Sequence, residues 1–417
     1  MTALSAPPRV AQLANYVGPT TGGLRVVVDE LTRGHLAGGG AGLRLVPGPA
    51  TTRLGDRQHR RVTVAGPRLP GSGGRYHVLL NRAKVRAELA SFAPDLVEVH
   101  DQTTLIWVAG WARRSGVPSV LFSHERIDLA AARLLGLPVD QLAAAGRRWA
   151  ALLASRFDAV VCASDYAAEP FRAAEAFHTG STLLRRIPFG VDLDTFAPRP
   201  RTDEPPWPDR GLRLVLAGRL SPEKSPDIAL DALAWLVALG VRAHLVVVGD
   251  GPLAPALHRR ALRERLPVTF SGHLTDRRAL ARLVAGADVA LAPGGCETFG
   301  LGVLEALACG TPVVTHPGGG SRELLDAGSG ALASTGADMA AAALRLAGDP
   351  AAGRRARARA QQFPWRRTWT AVADLRAELI DSLTGPRVLP VASAHRNPDP
   401  AQAGCVAATG QEPFSVL

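Results

Sequence analysis

Short β-branched runs alternate with Ala/Leu-rich stretches of helical period along this chain, and the alternation runs through twice, with a proline-rich interruption between the two rounds. No other feature constrains the fold as much. Strands joined through helices are laid down parallel, and a parallel sheet needs helices on both faces. In the first round strands are expected at Val10–Asn15, Leu43–Val46, Asp95–Val99, Ser119–Ser123 and Asp158–Ala163, with helices over Leu24–Leu36, Ala83–Ser91, Thr103–Ser115 and Gln141–Arg156. The second places strands at Leu212–Ala217, Ala243–Val248, Val268–Ser271, Val289–Ala292 and Pro312–Thr315; helices over Arg354–Gln362 and Thr368–Ser382 follow, broken at Phe363-Pro364-Trp365. Between the rounds, Phe196–Asp209 carries five prolines and can join neither a helix nor a central strand. The expected fold is α/β, with two doubly wound, Rossmann-like domains over residues 1–197 and 198–363. A C-terminal helix over 364–384 is expected to pack back on the first domain, and a disordered tail over 385–417 to follow, where periodicity ends.

Composition removes several classes of function. At 47% hydrophobic and 20% charged residues the chain is globular, neither disordered nor fibrous. No apolar run approaches the ~18 residues of a membrane-spanning helix. The first residues lack a cationic segment followed by an apolar one, so a cytoplasmic protein is expected. Cys162, Cys296, Cys309 and Cys405 form no C-x-x-C pair, which argues for reduced thiols and against structural zinc. Of 48 basic residues only Lys84 and Lys224 are lysines, so much of the net charge of +11 reads as a compositional habit for arginine. Nucleic acid is not an expected partner, because no recognition motif or aromatic interleaving accompanies the charge.

In open parallel sheets ligands bind beyond the carboxyl ends of the strands, which directs attention to three turns in the second half. The first is Gly218-Arg219-Leu220-Ser221-Pro222-Glu223-Lys224, whose two cations suit diphosphate oxygens: a planar fork from Arg219 and a compact charge from Lys224. The second, Gly249-Asp250-Gly251-Pro252-Leu253-Ala254, satisfies the dinucleotide pattern G-x-G-x-x-[GA]. The dehydrogenase it would imply needs an acidic residue at the end of the next strand, and Thr269-Phe270-Ser271-Gly272 has none. The third runs from Gly294 through Glu297, Phe299, Gly300 and Leu301 to Glu305. A helix starting near Phe299 would offer unpaired N–H groups and the positive end of a dipole to phosphate oxygens. Two carboxylates beside a phosphate cradle suit a ligand with hydroxyls on both sides of its phosphates, as in a nucleotide sugar.

Glu297-x7-Glu305 with Phe299-Gly300-Leu301, Gly218-Arg219-Leu220 with Lys224, Gly249-Asp250-Gly251-Pro252, and Gly190-Val191-Asp192 with Phe196 resemble the motifs of the family 4 retaining glycosyltransferases of the GT-B fold, over roughly residues 8–385. The resemblance implies a nucleotide-sugar donor on the C-terminal domain, an acceptor approaching from the N-terminal domain, and neither metal nor cofactor. Carried over, Arg219 and Lys224 would neutralise the diphosphate, Glu305 would hold the ribose hydroxyls, Glu297 would contact the sugar, and the amides at Phe299–Leu301 would assist the phosphates. Asp192-Leu193-Asp194 imitates a metal-binding D-x-D but is expected to be a structural loop.

On the N-terminal side, the loop Asn15–Gly23 ends in Gly22 and Gly23 at a helix start, where the resemblance places it opposite the diphosphate. His124, in Ser123-His124-Glu125-Arg126, falls where the family carries a histidine beside the donor sugar, and His100-Asp101 is a weaker candidate for acceptor contact. The segments Ala14–Pro19, Gly22–Arg25, Ser123–Arg126 and Gly218–Ser221 resemble the GDP-mannose-dependent mannosyltransferases of actinobacterial phosphatidylinositol mannoside synthesis. That implies GDP-mannose as donor, a lipid-linked or glycan acceptor, and work at the inner face of the cell membrane. The basic residues Arg53, Arg57, Arg60, Arg61, Arg82, Lys84 and Arg86 fit a surface that meets anionic lipid. The alternatives are a UDP sugar with a soluble acceptor, and an epimerase or a silent sugar-nucleotide binder.

Overall fold

The computed structural model describes residues 7–17, 22–56, 58–69, 76–129, 131, 139–172, 174, 177, 179–200, 207 and 210–384. The expected tail from 385, part of the glycine loop (18–21), most of the proline-rich interruption (201–206, 208–209), Arg57 and Cys405 lie outside these residues.

Two sheets organise the chain. The first contains β1 (Arg9–Leu13), β2 (Ala41–Gly48), β3 (Thr52–Gly55), β4 (His59–Ala65), β5 (Leu96–Val99), β6 (Ser119–Ser123), β7 (Ala159–Cys162) and β8 (Leu183–Arg186), in the order β3-β4-β2-β1-β5-β6-β7-β8. All neighbours are parallel except β3 and β4. Around it run α1 (Gly23–Ala37), α2 (Arg82–Phe92), α3 (Trp107–Arg114), α4 (Val139–Ala154) and α5 (Asp165–Arg172). The second sheet is wholly parallel, with β9 (Leu212–Ala217), β10 (Ala243–Val248), β11 (Val268–Gly272), β12 (Val289–Ala292), β13 (Val313–Thr315) and β14 (Gly330–Leu332) in the order β11-β10-β9-β12-β13-β14. Its helices are α6 (Pro226–Ala238), α7 (Ala254–Arg263), α8 (Arg277–Ala285), α9 (Leu301–Ala308), α10 (Gly336–Ala347) and α11 (Ala352–Ala360).

The last helix, α12 (Trp365–Thr384), lies against α1, where Trp369 fills the space a side chain at Gly34 would need. A buried polar chain fastens it there: Arg376 Nε donates to Glu98 Oε1 at 2.7 Å, and Gln12 Nε2 donates to Glu98 Oε2 at 2.8 Å. Glu98 sits in the middle of β5 with no solvent exposure, so its charge depends on these partners. Val191 bridges Pro364 beside this crossing.

Three features differ from expectation. β3 and β4 form a hairpin where a basic loop was expected: His59-Arg60-Arg61 hides a strand whose inward positions are Val62 and Val64, an arrangement that an edge position tolerates. The short edge strands β8 and β14 carried too few apolar positions to register as strands. Finally, α3 starts at Trp107 and not Thr103, because the Asp101 carboxylate accepts from the Leu105 amide at 2.9 Å and from the Thr103 and Thr104 hydroxyls, folding 102–106 into turns.

Candidate active site

Each sheet reverses its strand order once, between β1 and β5 and between β9 and β12, and a crevice forms beyond the strand ends at such a point. The turns singled out in the sequence leave from these strands: Asn15–Gly23 after β1, His100 after β5, Arg219–Lys224 after β9 and Pro293–Gly300 after β12.

On the C-terminal side, Lys224 ends a single 3-10 turn, Pro222–Lys224, and its Nζ donates to Glu297 Oε1. The glycines of the second turn support this arrangement from behind. A Cβ at Gly249 (φ +136°) would lie 1.8 Å from the Gly218 carbonyl oxygen, and one at Gly251 2.3 Å from that of Leu220, so both are required for the Arg219 turn to seat. Gly249 and Gly251 thus act through close backbone packing. The third turn corrects an expectation: the helix begins at Leu301, not near Phe299, since Gly300 (φ +95°) serves as its N-cap in the left-handed region. Phe299 precedes the helix and packs edge-on against Phe189, 5.3 Å between ring centroids. The free first-turn amides of α9 are therefore those of Leu301, Gly302 and Val303. Glu297 and Glu305 are not on one helix, and each has its own cation: Glu305 Oε1 accepts from Arg277 Nη2 at 2.9 Å. Burial raises the Glu305 carboxyl above its ordinary range, more than Arg277 lowers it.

The N-terminal side meets this cradle at several points. Gly23, where α1 starts, leaves only 3.2 Å between the place of a Cβ and Leu301 Cδ1, and Gly22 is the N-cap. Arg219 Nη2 donates to the Tyr76 hydroxyl, with the guanidinium 5.6 Å from the centre of the Tyr76 ring. Thr298 is gripped twice: its Oγ1 donates to the His124 carbonyl at 2.6 Å, and its own carbonyl accepts from Ser164 Oγ. Glu323 caps α5 across the same boundary, accepting from the Asp165 and Tyr166 amides, each at 2.8 Å. The His124 ring stacks on Phe189 at 5.7 Å, and burial lowers its pKa well below the ordinary value.

Tyr76, Ser164, Arg277 and Glu323 were not anticipated. Ser164 stands directly after β7, so the strand-end rule applied to β7 would have found it; Arg277, Tyr76 and Glu323 carry no local signal. Asp192 Oδ1 accepts from the Asp194 and Thr195 amides, as a structural loop requires. Among the described residues no cluster of three or more His, Cys, Asp or Glu could hold a metal ion. Thr298→Val is expected to slow turnover about five- to tenfold, the worth of one hydrogen bond, because the Glu297 loop loses one of its two ties to the N-terminal side. Steady-state rates at saturating donor, compared with wild type, measure this.

Comparison with known proteins follows the same division. Residues 21–195 match the model described as Glycosyltransferase Family 4, and residues 211–349 match Glycosyl transferases group 1. The GDP-mannose-dependent alpha-(1-6)-phosphatidylinositol dimannoside mannosyltransferase of Mycobacterium tuberculosis is 42% identical over 366 residues, covering 86% of this chain and 93% of its own length. Among solved structures, the sucrose-phosphate synthase of Thermosynechococcus elongatus superposes with a TM-score of 0.72 at 20% identity, covering 90% of this chain and all of its own. The HepE protein of Anabaena, solved with UDP and glucose, gives 0.69 at 21% identity and covers 89% of this chain and all of its own. These neighbours establish the fold as GT-B.

Proposed function

The chain belongs to glycosyltransferase family 4, and from that premise we propose that it is a retaining mannosyltransferase, moving mannose from GDP-mannose to a lipid-linked acceptor of the phosphatidylinositol mannoside kind. The observation that carries this reading is the 42% identity to a mannosyltransferase of that specificity, sustained across both domains. In this reading the bond from the anomeric carbon to the diphosphate breaks, the acceptor oxygen takes its place, and the acceptor proton departs with the nucleotide. Negative charge then grows on the diphosphate, and preorganised cations and amides aimed at it lower the barrier. Arg219, Lys224 and the first amides of α9 serve that role; Glu297 holds sugar hydroxyls, and Glu305 exchanges Arg277 for the ribose. The reading takes no metal and no cofactor beyond the donor itself. A donor screen over GDP-mannose and UDP sugars, with lipid and soluble acceptors, tests it: release of GDP only with the lipid supports the reading, and turnover of a UDP sugar on a soluble acceptor replaces it.

A surface supports action at the inner face of the membrane. The β3–β4 hairpin and α2 form one continuous basic face, tied together where Arg53 and Lys84 reach Glu88 and Arg60 reaches Ser91, with Leu54 exposed at the edge. Glu88 offsets part of this charge, and Arg82 and Arg86 lie over the Trp107 ring. Among the described residues no helix is long and apolar enough to cross a membrane. Vesicle flotation should show several-fold stronger association with anionic than with neutral vesicles, falling with salt. Equal partitioning to both would remove the membrane reading and leave the donor reading intact.

A further inference from the structure

Two histidines end adjacent strands, His100 after β5 and His124 after β6. His100 Nδ1 and His124 Nε2 lie 2.9 Å apart, with the rings stacked at 5.2 Å and 22°. His100 is 2% exposed and lies flat against Phe122, 4.6 Å between centroids. Its Nε2 is buried and has no hydrogen-bond partner among the described residues. Burial, with Arg44 and Arg376 nearby, lowers His100 to about 3, and burial lowers His124 as well, so both imidazoles are neutral.

A neutral imidazole has one N–H, so the contact holds a single proton, placed in one of two ways. If His124 donates from Nε2, His100 must carry its own hydrogen on Nε2, which is an orphaned N–H in an apolar wall. If His100 donates from Nδ1, only a lone pair faces that wall. Buried N–H groups without acceptors are the rarer defect in proteins, and the second arrangement is therefore preferred. His124 then accepts on Nε2 and keeps its hydrogen on Nδ1.

We propose that His100 is a positioning residue that locks His124 as its Nδ1–H tautomer, leaving His124 able to donate a hydrogen bond to the donor sugar and without a free lone pair to act as a general base. The role at the sugar rests on the donor-site reading above; the tautomer does not. With both nitrogens of His124 committed, the acceptor's proton has to leave by another route than this ring, which suits a retaining transfer in which leaving-group oxygens receive it.

Nitrogen NMR of histidine-labelled protein, with signals assigned from the His100 and His124 variants, decides the point. In the wild type His124 should be protonated on Nδ1. In His100→Phe, which keeps the stacking on Phe122 but offers no donor, His124 should revert to the Nε2–H form that free imidazole prefers. His100→Asn, whose side-chain amide stands close to the position of Nδ1, should retain Nδ1–H on His124. Turnover should fall about tenfold in His100→Phe, with donor KM changed much less, and recover most of this loss in His100→Asn. An Nε2-protonated His124 in the wild type, or an Asn variant indistinguishable from Phe, overturns the proposal. His124→Phe separates it from the donor-site reading: wild-type turnover there removes the sugar contact, while the tautomer spectra still test His100. Should His100→Phe fail to fold, the wild-type spectrum and His100→Asn suffice to decide between the two tautomers.

Discussion

Lys224→Ala is expected to lower transfer by about two to three orders of magnitude, the usual cost of removing one preorganised group aimed at developing charge. Its position is over-determined. The chain leaves β9 at the strand-order reversal, turns through Pro222–Lys224, and passes Ser225 in the left-handed region (φ +46°) before α6 begins. Nζ is thereby held against Glu297 on the loop that follows β12. Removing it leaves the Glu297 carboxylate and the departing diphosphate facing each other with one cation fewer, so binding and chemistry both suffer. Lys224→Arg should recover only part of the loss, since a planar fork on a longer stem cannot occupy the place of a compact ammonium. Single-turnover transfer and calorimetric titration of donor measure the effect, with circular dichroism to verify folding; wild-type donor affinity and rate in Lys224→Ala would remove the assignment.

The second large effect concerns stability. Glu98→Ala should destabilise the N-terminal domain by about 3–5 kcal/mol, because it leaves the Arg376 guanidinium buried without its carboxylate. Arg376 is 4% exposed and comes from α12, far along the chain from β5, so the pair is what holds the last helix on the first sheet. Gln12 would lose its acceptor as well, and Gln12 in turn orders Thr32 of α1, whose hydroxyl donates to Gln12 Oε1. Replacing Glu98 and Arg376 together by apolar residues should cost less than either alone, since no unpaired charge remains. Denaturant unfolding of the single and double variants measures this; a single variant as stable as wild type would show that α12 is held by its apolar face alone.

Much of this architecture is legible in the sequence. The central strands β1, β5, β6, β9 and β10 are buried on both faces, which makes their sequences nearly continuous apolar runs, and the turns after them inherit a place at the crevice. Edge elements are harder. In β4 only Val62 and Val64 report burial, and the arginines around them read as surface. The cradle turns at Arg219, Lys224 and Glu297 are legible because each is local. Arg277 against Glu305, Tyr76 against Arg219 and Ser164 against Thr298 are not, since each depends on how distant segments meet, and no periodicity encodes that. The start of α9 falls two residues later than expected for a related reason: Gly300 adopts a left-handed conformation that composition permits but does not specify.

A chain that takes mannose from GDP-mannose and places it on a lipid with its anomeric configuration kept must leave both a nucleotide and a linkage as its record. One incubation of the purified chain with GDP-mannose and acceptor-bearing vesicles, followed by assay of released nucleotide and NMR of the product's linkage, reads both. One GDP for each new mannolipid and an α-linked mannose are expected. A β-linked product, or turnover of a UDP sugar with GDP-mannose left intact, would rule the assignment out.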